Sequence, residues 1–143
     1  MSAPFKRSRK GIAVNLTHAE RALLATLPEL VVEGGDAGGR LAYQAHTADA
    51  PTEEAYQTLV GDSLDTARAD DRKTLASTLE EAVLDENTAL AWMRVVGDAR
   101  IVLAHRLGID RDGWEETIDR SSSDAVLISY LGFIQDSLVS VLD

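Results

Sequence analysis

At 143 residues, 45% apolar and 27% charged, the chain is long enough for one domain with its own hydrophobic core. It has no cysteine, which excludes disulfides, zinc–thiolate sites, iron–sulfur clusters and thiol redox switches. The net charge of −10 is unevenly placed: Lys6, Arg7, Arg9 and Lys10 give the first ten residues +4 and leave −14 on the rest, which repels nucleic acid and anionic membranes at long range.

Residues 1–10 read as a basic, solvated arm and residues 11–143 as a single helical domain. No apolar segment follows the first Met, and no run approaches the roughly 20 apolar residues of a membrane span, so the expectation is a cytoplasmic protein. Gly11–Leu16 is too short for a helix and reads as an isolated strand or an extended lead-in. Thr17-x-x-Glu20 matches a capping box, which satisfies orphan N–H groups at a helix start. Leu23, Leu27, Leu30 and Val31 follow at helical spacing. Pro28 removes a backbone donor within that pattern and predicts a kink or break near Leu27. Gly34-Gly35 ends the segment.

Gly34 to Gly39 imitates part of a phosphate-binding loop, but Arg40-Leu41 stands where Lys-Ser/Thr is required, and a helix rather than a strand precedes it. Residues 41–50 read as a loop, and Pro51 suits the first turn of a short helix. Gly61-Asp62 breaks that helix. Asp62 or Ser63 can cap the next, whose apolar face is Leu64, Leu75, Leu79, Ala82 and Val83 and whose middle, Asp70 to Lys73, is wet. Residues 86–109 then read as one long, mostly apolar helix ending near Gly108, the buried spine of the domain. A polar connection around Trp114 leads to a last helix from Ser121. There Leu127, Leu131, Ile134, Leu138 and Val141 form a seam of four- and three-residue steps. Its expected use is packing on the spine; a homodimer through this C-terminal helix is the alternative. The fold class is mainly α, a single-domain bundle of five or six helices around a long central apolar helix, with a short N-terminal strand allowed.

The chemistry is sparse. His18, His46 and His105 have no second ligand at metal-binding spacing. No serine has the surroundings of a nucleophile. The paired acids Asp62 and Asp65, Asp70 and Asp71, and Asp85 and Glu86 fall at helix starts or on wet faces. A chain only 5% aromatic does not suggest a sugar cleft. No catalytic, cofactor or metal site is predicted. The candidate interaction residues are Arg94, Asp98, Arg100, His105 and Arg106, all on the spine. Arg94 and Asp98 are four apart and can pair on one face. Arg100 lies nearly opposite Asp98, so an acid on another helix is its expected partner. His105 and Arg106 suit the negative end of the helix.

The block Trp92 to Ile109, WMRVVGDARIVLAHRLGI, resembles the core W-(L/M)-x-x-(L/V)-x-D-x-R-(L/I)-V-L-x-x-R-L-G of an actinobacterial domain-of-unknown-function family, numbered two-thousand-and-seventeen. GIAVNLTHAERALLATL, GRLAYQAHTADAPTEEAYQTLVGDSL and ISYLGFIQDSLVSVL resemble its other blocks in order. Ala104-His105 stands where that family often has Gly-Thr. The resemblance implies a helical cytoplasmic protein without assigned enzymatic activity. The expected function is a non-enzymatic regulatory or adaptor protein that acts by binding another protein. The alternative is a transcription-associated factor touching nucleic acid weakly through Lys6, Arg7, Arg9 and Lys10.

Overall fold

The computed structural model describes residues 3–33, 66–108 and 122–143. The chain opens as a hairpin. Strand β1 (Phe5–Ser8) pairs antiparallel with β2 (Gly11–Val14), Phe5 opposite Val14 and Ser8 opposite Gly11. The first ten residues are therefore not a free arm. Phe5 anchors them: its ring is buried and meets Trp92 edge to face, with centroids 6.1 Å apart. Lys6, Arg9 and Lys10 stay in solvent. Arg7 donates from Nε and Nη2 to the Val141 carbonyl and from Nη2 to Glu86 Oε1. It thus caps one helix end and holds the start of another.

The Thr17–Glu20 capping box forms as predicted and starts α1 (His18–Leu24). A turn at residues 25–26 separates it from α2 (Leu27–Glu33), which carries Pro28 at its second position, where the missing N–H costs no helical hydrogen bond. Helix α3 comprises residues 66–78. The helix stops there, before Ala82 and Val83. Val83–Leu84 is instead a short strand, β3, paired antiparallel with β2 through Ile12–Leu84 and Ala13–Val83. The sheet order is β1-β2-β3. Gly11 is required at this junction. Its φ is 137°, and a Cβ there would lie 2.5 Å from the Leu84 carbonyl oxygen. Arg21 closes the same corner by donating to the carbonyls of Leu79 and Glu81.

Asp85 caps the long helix α4 (Glu86–Leu107), its side chain accepting from Thr88 N–H, and Gly108 ends it in the left-handed region at φ 74°. Ser122 caps α5 (Ser123–Leu142). Ala89, Trp92, Val95, Val96, Ala99 and Leu103 of α4 join Leu131, Ile134 and Leu138 of α5 in one core with Phe5, Ile12, Leu24, Leu27, Leu75 and Leu84. The seam expected on the last helix is thus spent inside the chain, against α4. The Trp92 indole N–H is satisfied by Thr78 Oγ1 at 2.8 Å, which ties α3 to α4. The fold is mainly helical with a small three-stranded sheet. The expected helix at Pro51, the cap at Asp62 or Ser63 and the connection around Trp114 lie outside the described residues.

Helix α5 is 20 residues long and contains an 18-residue window with a mean hydropathy of 1.7, so by length and composition alone it could cross a bilayer. Its Ser, Gly and Gln positions break up the apolar run that sequence reading looks for. Its inner face is buried in the core described above.

Candidate functional site

The five predicted residues project from α4 in three directions, so they do not form one site. Arg94 and Asp98 share a face, but they do not pair as predicted. Arg94 reaches across to α3 and grips Asp71 with both arms, Nε to Oδ2 at 2.8 Å and Nη2 to Oδ1 at 2.9 Å. Asp98 faces Arg68 at 3.8 Å. The cross-helix geometry wins because Asp71 presents both oxygens to the planar guanidinium, which an i, i+4 neighbour on one helix cannot easily do. Hydrogen bonding to Asp71 holds the Arg94 pKa above its usual value. Burial pushes the Asp98 carboxyl up, with Arg68 opposing that shift. Asp71 is nearly buried, and its role is missed by reading residues 70–73 as wet. The signal was available: positions 71, 75 and 78 fall on one helical face, and Leu75 is the buried core residue of that face.

Arg106 turns the other way and pairs with Asp124 at the start of α5, Nε to Oδ2 at 3.1 Å and Nη2 to Oδ1 at 3.2 Å. His105 is exposed in the last turn of α4. Both lie where the helix dipole favours positive charge.

Arg100 points at α5. Its expected partner was an acid, and none of the described acids pairs with it. Instead Nη1 donates to the Gln135 side-chain oxygen, a neutral acceptor. The Nε is buried and makes no hydrogen bond. The guanidinium lies over Gly132, whose missing Cβ would sit 3.6–3.9 Å from Nη2, Cζ and Nε. At Gly132 a Cβ would make ordinary contact, but Gly97 is tighter: a Cβ there would come within 3.0 Å of the Gln135 amide nitrogen. Gly97 on the facing helix therefore leaves space for the amide of a cation–amide pair, and that pairing is invisible in either helix alone. The pair opens on a groove of about 560 Å³ walled by Gly97, Asp98, Ile101, Ala104 and Ile128.

A second depression, of about 440 Å³, lies where Ala3, Pro4 and Phe5 meet the far end of α5 at Phe133, Ser137 and Val141. Phe133 is 54% exposed, and Val126, seven residues earlier on the same outer face, is 59% exposed. In the sequence Phe133, with Tyr130, already widens the apolar surface to one side of the seam, whereas Val126 lies outside that pattern, because the inner seam dominates the helix. Beneath the inner face, Tyr130 donates to Glu20 Oε2 at 2.8 Å while Oε1 accepts from Thr17 N–H. The Thr17 backbone hydrogen bond and then Tyr130 hold the Glu20 pKa below its ordinary value. Burial, with Glu20 alongside, pushes the Tyr130 phenol up.

Among the described residues no group of three or more His, Asp or Glu side chains is placed to hold a metal. Fold and surface define a small helical domain, edged by a three-stranded sheet, whose helices are cross-linked by charge. The chain belongs to the family described as a domain of unknown function, DUF2017, whose model matches residues 1–142. No curated protein and no solved structure matches it.

Proposed function

We propose that this is a non-enzymatic regulatory or adaptor protein that works by binding another protein. The observation that carries the reading is the outer face of α5, where Phe133 stands exposed on the Ala3–Pro4–Phe5 depression and Val126 is exposed two turns earlier on the same face. A half-exposed aromatic next to a shallow apolar groove is the kind of anchor on which binding energy concentrates at interfaces. The partner is a different protein or a second copy. In the second case the dimer uses Val126 and Phe133, because Leu131, Ile134 and Leu138 are already buried within the chain. A cytoplasmic location and an actinobacterial source belong to the same proposal, on the strength of the sequence resemblance. Affinity purification of the tagged protein from native cells, compared with Phe133→Ser, tests it. A stoichiometric partner that is lost in the variant supports the reading. Purification of the protein alone as a monomer, together with turnover of a small molecule, would overturn it.

The exposure of Lys6, Arg9 and Lys10 on the β1–β2 hairpin favours a second reading, a transcription-associated factor with weak nucleic-acid contact. Arg7 is engaged by Glu86 and Val141, so three cations remain for phosphate. They support a log–log salt slope of about −3 at most. Sequence-specific duplex binding with a steeper slope would favour this reading over the first.

A further inference from the structure

We infer that the groove between α4 and α5 is a binding site for an organic monocarboxylate with an aliphatic body, its carboxylate held by Arg100 and Gln135. Arg100 Nε is buried without a hydrogen-bond partner, and no described acid offsets the charge of its half-buried guanidinium, an arrangement that is costly. The other described arginines that face acids are paired: Arg7 with Glu86, Arg68 with Asp98, Arg94 with Asp71, Arg106 with Asp124. Among the described residues, Arg100 has only the Gln135 oxygen. That bond also orients the amide, leaving its nitrogen as a donor. The Gln135 nitrogen and Arg100 Nη2 donate to no described acceptor, and neither is sealed from solvent as Nε is. This end of the groove thus presents adjacent N–H groups and a positive charge, which match the two oxygens of a carboxylate.

The charge of the ligand follows from the same inventory. Arg100 is the one cation among the described lining residues and balances one negative charge, while Asp98, on the same lining, is itself offset by Arg68; a dianion such as phosphate would be left under-compensated. Ile101, Ala104 and Ile128 offer only aliphatic contact, which fits an alkyl body. The volume is within the range of ordinary ligand sites. The site lies apart from Phe133 and stands or falls independently of the partner-binding reading.

Hexanoate and hexan-1-ol, matched in length and differing in charge, are suitable probes for a two-dimensional amide NMR titration of the full chain. Hexanoate is expected to give saturable shifts at Gly97, Gly132 and Gln135, and to bind about tenfold or more tightly than the alcohol. Arg100→Gln is expected to abolish that preference and Gln135→Leu to reduce it several-fold; if one variant fails to fold, the other decides. Equal affinity for the two probes, no saturable shift, or an unchanged preference in every variant that folds would overturn the assignment.

Discussion

Leu131→Ala tests the packing on which the architecture rests. Leu131 is fully buried at the centre of the α5 seam, with Ile134 and Leu138 equally buried beside it. Truncation removes three carbons from a site flanked on both sides by closed core, so little collapse is available to fill the gap. Buried leucine truncations cost about 2–5 kcal/mol, and this site belongs in the middle of that range, at about 3–4 kcal/mol. At this chain length each kcal/mol corresponds to roughly 3 °C in Tm, so the variant should melt about 9–12 °C lower. Urea unfolding followed by circular dichroism gives the same quantity as a drop in midpoint with the slope unchanged. Val139→Ala on the same helix, 47% exposed, is the comparator and should change stability by less than about 0.5 kcal/mol. If Leu131→Ala were equally mild, the seam would not be packed on α4.

Gly11→Ala forces a side chain into φ 137° and against the Leu84 carbonyl; it should cost about 1–3 kcal/mol in chemical denaturation. A neutral effect would mean that the β2–β3 pairing differs. Asp71→Asn weakens the two-armed grip of Arg94 and should cost about 1–2 kcal/mol, whereas Asp70→Asn, on the exposed side, should be nearly silent in the same assay. Glu20 has a folded pKa below its ordinary 4.5, so its stabilising contribution is present above that value and disappears as pH falls through the folded pKa. Tyr130→Phe removes one of the donors that hold the pKa down. Carboxyl-carbon NMR should then find the Glu20 midpoint moved upward, and an unmoved midpoint would show that Tyr130 does not bond it.

Local signals carried far in this chain and non-local ones did not. The capping box, the break before Pro28, the Gly108 terminus and the α5 seam each depend on residues within a turn or two of one another, and each is where the periodicity puts it. The hairpin was hidden because Lys6, Arg7, Arg9 and Lys10 read as a solvated arm. The same charges suit an edge strand, where cations discourage pairing with other chains. β3 is two residues long, too short for alternation to register, and its register is set by β2. The ion pairs were misread for a related reason. The i, i+4 rule sees only one helix, whereas Asp71 reaches Arg94 from α3 and Gln135 meets Arg100 from α5.

The proposal that this protein acts by binding another is tested most directly at Phe133. A photo-crosslinking amino acid placed there, in cells that express the full chain, reports whatever touches the outer face of α5. A discrete adduct of defined mass is predicted, either a second protein or a second copy, with none from the same group at Glu29 on α2. Illumination that leaves the Phe133-substituted protein at its own mass would contradict the account.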